Sequence, residues 1–275
     1  NVDGNMTLTA KFVTQYLMAA DSPFGNISGV GWYDSGATAT VSIETVFDHW
    51  NGTRHVFTGW TGDLESSNSS LSILMDSPKR ILANYRKQYH VNFNVAGLPN
   101  GTIVELSVNG ISHNVTLPDS YSAWFDSGAT LSFSIQILKI EAGSLTYSLE
   151  GWRDSDYSSI TSPSVIDEPL TLTANFNYEK AASRILSNIQ QETKVQGEPV
   201  VISGSIEPKH QDTVVMLYYS LDGNSWSELA EVRTDSEGRY SYVWDSAPPG
   251  TVYVKAYWSG DFDHKEASSS SSSFA

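Results

Sequence analysis

Six histidines, His49, His55, His90, His113, His210 and His264, have the widest chemical reach of any side chains here, since imidazole can bind a metal or move a proton near neutral pH. None stands in a His-x-x-x-His or His-Glu-x-x-His spacing, and no Gly-x-Ser-x-Gly turn accompanies them. The spacing therefore predicts ordinary surface or strand histidines, without a zinc-hydrolase pair or an activated serine. The carboxylate pairs Asp154/Asp156 and Asp261/Asp263, and Asp222 with Asn224, offer oxygen donors of the kind Ca²⁺ takes. None leads into a twelve-residue loop closed by a bidentate Glu, so a structural Ca²⁺ is a minor expectation, placed at Asp154 and Asp156. Cysteine is absent, which removes disulfides and thiolate metal sites. The expectation is no catalytic residue, no cofactor-binding residue, no metal ligand and no cofactor.

Two further chemistries involve sugars. Asn5, Asn26, Asn51, Asn68, Asn100 and Asn114 each begin an Asn-X-Ser/Thr acceptor, all within the first 114 residues, and are the glycosylation candidates. Among the eight tryptophans, Trp32 and Trp124, and Trp60 and Trp152, hold equivalent repeat positions and are expected in the core. Trp50, in a His-Trp-Asn-Gly loop, is expected to be exposed, where it could stack on a sugar ring.

The elements that carry these residues repeat. Trp32 to Thr38 (WYDSGAT) recurs as Trp124 to Thr130 (WFDSGAT), and Gly59-Trp60 recurs as Gly151-Trp152. A closing segment appears three times: in the first twelve residues, at Met75 to Tyr85 and at Ile166 to Phe176. In its first copy Val2, Met6, Leu8, Ala10 and Phe12 alternate with polar residues, the period of a half-buried strand. The domains expected are an orphan terminal strand over 1–12, β modules over 13–87 and 88–178, and a different β domain over 179–275. Asn109-Gly110 between alternating segments predicts a type I′ hairpin, and Gly36 and Gly128 predict bends. From 179 the turn pairs Asp222-Gly223 and Glu237-Gly238 and strands about every ten residues predict a sandwich. The fold class is all-β, with room for one short helix in each module.

These motifs carry resemblances. The Trp-[Tyr/Phe]-Asp-Ser-Gly-Ala-Thr entry, the Gly-Trp-Thr-Gly-Asp centre and the Met-Asp-x-x-Lys-x-Ile-x-Ala-x-Tyr close resemble the divergent InlB B-repeat family, over 13–87 more closely than over 88–178. That resemblance implies small β-grasp-like modules strung along secreted surface proteins. The segments YYSLDGNSW, TDSEGRYSYVW and PPGTVYVKAYWSGDFDH resemble a prokaryotic immunoglobulin-like (Ig-like) domain, and the combination resembles archaeal and bacterial cell-surface proteins.

Composition narrows the function in the same direction. A formal charge of -15 disfavours nucleic acid and anionic lipid, and no apolar run is long enough to span a membrane. The predicted function is a non-catalytic extracellular structural protein at the cell surface: a surface-layer (S-layer), adhesin-stalk or filament (pilus-like) subunit. Its partners would be copies of itself or other surface proteins, and glycans. Val2, Met6, Leu8, Ala10 and Phe12 are the candidates for a strand donated to a neighbouring subunit. The alternative is the binding or spacer region of a secreted carbohydrate-active enzyme.

Overall fold

The structure is a computed structural model that describes residues 7, 9–140, 143–190, 193, 195 and 197–275. Every regular element among them is a β-strand, as the all-β expectation required, and neither module contains a helix among these residues. Alternation decides which side chains face inward. In Thr38–Ile43, Ala39, Val41 and Ile43 are buried while Thr38 and Thr40 are exposed; in Val252–Trp258, Val252, Val254, Ala256 and Trp258 are buried. Side chains two apart share one face of a strand, so each such segment supplies one wall of a core.

The chain forms two compact units: residues 1–140 with 150–175, and residues 141–149 with 176–275. The first holds module 1 and most of module 2, whose residues 141–149 and 176–178 group with the second unit. The first unit's main sheet is organised by one 18-residue strand, Lys79–Ala96, in which the expected boundary at 87/88 falls. The first half of this strand closes module 1. It lies parallel to the module's opening strand, Gln15–Asp21, with Met18 opposite Lys79 and Asp21 opposite Leu82, and antiparallel to Thr53–Gly62. The second half opens module 2. It lies parallel to that module's closing strand, Leu170–Glu179, with Val91 opposite Leu170.

The modules repeat one pairing scheme residue by residue. Leu17 faces Trp32 in one, and His90 faces Trp124 in the other. Thr38 faces Leu74 in one, and Thr130 faces Val165 in the other. In module 1 the core gathers Met18, Val41, Trp60, Ile73, Met75 and Ile81, which explains why Gly-Trp recurs and why the closing Asp is preceded by a large apolar residue in both modules, Met75 and Ile166. The hairpin expected at Asn109-Gly110 joins Ile103–Val108 to Ile111–Thr116, with φ of 49° and 80° at the two central residues. Gly36 and Gly128 make their bends at φ 81° and 80°, in the left-handed region that glycine enters without steric penalty.

The second unit carries two sheets. One contains Arg184–Ile189, Val200–Glu207 and Arg239–Trp244; the other contains Val214–Ser220, Ser227–Arg233 and Val252–Trp258 with two short partners. Their inner faces meet in a core of Ile202, Ile206, Leu217, Trp244, Val254 and Trp258, the sandwich arrangement expected.

Three expectations need correction. Trp32 is 66% exposed and does not belong to the core, although Trp60 and Trp152 do and Trp124 is half-buried. Within the first copy of the closing segment, Ala10 and Phe12 are not in a strand, and Phe12 is 95% exposed; Val2, Met6 and Leu8 lie outside the described residues. The histidines are not all ordinary surface or strand side chains, because His264 is buried outside the strands beside His210, and folding brings His49 to His55.

Candidate functional site at the module junction

Where the long strand passes from module 1 to module 2, it is flanked on both sides. Thr53–Gly62 of module 1 places Arg54 opposite Gln88, and Tyr121–Asp126 of module 2 places Asp126 opposite the same Gln88. Arg54 Nε donates to Gln88 Oε1 at 2.8 Å, and Gln88 Nε2 donates to Asp126 Oδ1 at 2.7 Å. The glutamine is buried, and an amide can donate on one side while accepting on the other, so it transmits the contact across the strand. The Arg54 guanidinium lies 4.3 Å from the centre of the Trp124 ring. Such an arrangement contributes about 0.5–2 kcal/mol, more as water is excluded. Burial here lowers the Arg54 pKa, against the opposing pull of Asp48, but a guanidinium stays charged at any physiological pH.

Two more contacts complete the junction. The module 1 hairpin ending at Thr53 inserts Gly52 beside module 2: its carbonyl accepts from His90 N–H at 2.9 Å. A Cβ on Gly52 would come 2.8 Å from the Pro169 side chain, so the hairpin seats against that proline with no room for another carbon. The His90 ring packs 4.9 Å from Trp124. Gln88, His90, Trp124, Asp126 and Pro169 of module 2 thus form a surface filled by Arg54 and Gly52 of module 1. Sequence reading did not assign functional roles to Arg54, Gln88 or Asp126. Their pairing across two strand edges has no local signature.

The residues singled out in sequence fall as follows. Trp50 is 91% exposed at the hairpin tip, as expected, held at φ 59° while its N–H donates to Asp48 Oδ1 at 2.7 Å. Beside it, Phe24 stacks on His55 at 3.8 Å, and His49 Nε2 lies 2.8 Å from His55 Nδ1. Burial first, then the neighbouring His49 and Lys87 charges, lower the His55 pKa, favouring neutral imidazole. Asn26, Asn51, Asn68, Asn100 and Asn114 are all exposed; Asn5 lies outside the described residues.

The acidic candidates serve turns. Asp154 Oδ1 accepts from the N–H groups of Asp156 and Ser158 at 2.9 and 2.8 Å. Asp222 Oδ1 accepts from Asn224 and Ser225 at 2.8 and 2.7 Å. In the second unit, Asp261 Oδ2 lies 2.8 Å from His210 Nε2, and Asp261 Oδ1 lies 3.2 Å from His264 Nδ1. One donor atom from each of these three residues lies within 4.8 Å of the others, close enough to share a divalent ion. Protonated imidazoles satisfy the same distances as ion pairs, and His264 is additionally tied to Asp263 at 2.9 Å.

No family model and no curated protein matches the chain, so the likeness to InlB B-repeats rests on the quoted motifs alone. Among solved structures the chain is similar to one described as a tetra-tandem repeat in the extending region of a large adhesion protein, at 10% identity over 96% of this chain and 75% of that one, with a TM-score of 0.35. It is also similar to the D0-D1 domain of intimin, at 14% identity over 69% of this chain and 89% of that one, with a TM-score of 0.25. Likenesses at these scores carry no argument about function. No helix of the described residues is long and apolar enough to cross a membrane.

Proposed function

We propose that this chain is a load-bearing, non-catalytic spacer of an extracellular surface protein, of the adhesin-stalk or filament kind. One observation carries the reading. In each module the opening and closing strands are parallel neighbours in one sheet: Met18 to Asp21 beside Lys79 to Leu82, and Val91 to Ala96 beside Leu170 to Asn175. A load entering through one of these strands and leaving through the other pulls them along their own axes in opposite directions. Their backbone hydrogen bonds then resist together instead of opening one at a time. Because Lys79–Ala96 serves both modules, load passes between them along a covalent strand, without a flexible linker. The low charged fraction and five exposed glycosylation acceptors suit an extracellular surface.

Force spectroscopy on the full chain tests this. Cysteine is absent, so introduced cysteines are unique attachment points. Handles at Thr14→Cys and Asn100→Cys load the module 1 strands in shear; handles at Thr14→Cys and Ser77→Cys grip the same ends of the two parallel strands and peel them apart. Rupture in shear is expected at clearly higher force, since forced unfolding reports the unfolding barrier. Equal or lower force in shear would remove the mechanical reading.

A further inference from the structure

Module 1 displays, open, the surface that module 2 has filled. Gln88, His90, Trp124, Asp126 and Pro169 correspond in the repeat to Gln15, Leu17, Trp32, Asp34 and Pro78. The strand pairing fixes the first four, since Leu17 faces Trp32 as His90 faces Trp124, and Gln15 faces Asp34 as Gln88 faces Asp126. The internal half of the hydrogen-bond relay is already in place: Gln15 Nε2 donates to Asp34 Oδ1 at 2.8 Å, matching Gln88 to Asp126 at 2.7 Å. Covering is what differs. Gln88 is 7% exposed whereas Gln15 is exposed, and Trp32 is 66% exposed where Trp124 lies under Arg54. Beside Leu17 and Pro78, where the Gly52 hairpin sits in the filled copy, there is a groove of about 360 Å³.

The preceding sequence has the matching register. Asp3, Leu8, Ala10 and Phe12 align with Asp76, Ile81, Ala83 and Tyr85 at the offset of 73 that also relates Gln15 to Gln88 and Leu17 to His90. Residues 3–21 thus carry the pattern of the long shared strand, whose first half closes one module and whose second half opens the next. We infer that the Gln15–Trp32–Asp34 face is the docking surface for another module of this same repeat type, closed by residues 3–12, which lays an arginine over Trp32 and a hairpin against Pro78. The occupant follows from continuity with the filled junction. A second copy of this chain does not offer the same vacancy, because Lys79–Ala96 and Leu170–Glu179 already close both of its modules.

The inference rests on the stalk reading only in placing modules in series, and its test reads stability, not force. A second copy of residues 15–75 joined directly before Asp3 recreates the register in which residue 75 precedes Asp76. In this extended chain, Trp32→Ala should lower the melting temperature of the repeat unit by about 1–8 °C, the worth of a covered cation–π contact of about 0.5–2 kcal/mol at ~2–4 °C per kcal/mol. Arg54→Ala in the added copy should lower it similarly, and the pair should be less than additive. In the parent chain Trp32→Ala should shift it by less than about 1 °C, as expected of an exposed side chain. Equal effects of Trp32→Ala in both chains would overturn the inference. So would an added module that fails to gain β structure by circular dichroism, since residues 3–12 would then not close it. Concentration-dependent assembly of the parent chain that disappears on deleting residues 1–12 would also overturn it, in favour of strand donation to a neighbouring molecule.

Discussion

Truncating the core on either side of the shared strand should destabilise both modules as one body. Ile81, in the closing half of that strand, is 1% exposed, and Leu172, on the module 2 strand paired to its opening half, is 0% exposed. Ile81→Ala or Leu172→Ala removes three buried carbons, about 2.4 kcal/mol at ~0.8 kcal/mol each. If the surroundings close half of the ~80 Å³ vacated, the remaining void adds about 1 kcal/mol, for a total near 3.5 kcal/mol. Unfolding module 1 alone would also strip Arg54 from Trp124 and from Gln88, and would release half of the strand on which module 2 is built. Calorimetry should therefore show one transition for the repeat unit, lowered by about 7–14 °C with either substitution, using ~2–4 °C per kcal/mol for a unit of this length. The transition of the C-terminal unit should not move. Two separable repeat transitions, each answering to only one of the substitutions, would refute the coupling.

Other outcomes follow from particular contacts. A Cβ on Gly204 would fall 1.9 Å from the Leu186 carbonyl oxygen and 2.3 Å from the Tyr240 hydroxyl, so Gly204→Ala should cost about 3 kcal/mol. It should lower the melting temperature of the C-terminal unit by more than about 10 °C; a drop under about 3 °C would contradict the close approach. Tyr240→Phe deletes the 2.6 Å hydrogen bond to that carbonyl and should cost about 1–1.5 kcal/mol in urea unfolding. The backbone N–H groups of Ser225 and Asn224 hold the Asp222 carboxyl well below the usual carboxylate range. Its contribution to stability is complete above the unfolded value near 3.9 and is lost only as pH falls through the lower folded value. The Asp222 carboxyl carbon should accordingly remain ionised by NMR at about pH 3, where a free aspartate is mostly protonated; titration with an ordinary midpoint would contradict these bonds. Trp50→Ala removes a 91% exposed ring and should leave the melting temperature within about 1 °C, so any glycan-array signal it abolishes reports binding and not unfolding.

Much of this protein is legible from residue order because its information is local. Alternation in segments such as Thr38–Ile43 and Val252–Trp258 sets one face against the core, so strands and their inward residues can be read directly. Asn109-Gly110, Gly36 and Gly128 declare their turns because few residues accept positive φ. The repeat is legible because equivalent packing positions demand equivalent side chains: Trp60 and Trp152 recur and both are buried. The limits of that reading appear at Trp32 and Trp124. They recur in nearly identical heptapeptides, yet one is 66% exposed and the other lies beneath Arg54.

Residue order alone fixes the all-β class, the recurrence of the repeat motifs, the alternation within strands and the turns at Asn109-Gly110, Gly36 and Gly128. Each depends on neighbours along the chain or on self-similarity at a fixed offset. Only tertiary structure decided that the two modules share one strand, that Gln88 relays Arg54 to Asp126, and that His210 and His264 meet at Asp261. Those facts join residues tens of positions apart through sheet edges and loops, and no spacing rule connects positions whose distance is set by which strand lies beside which.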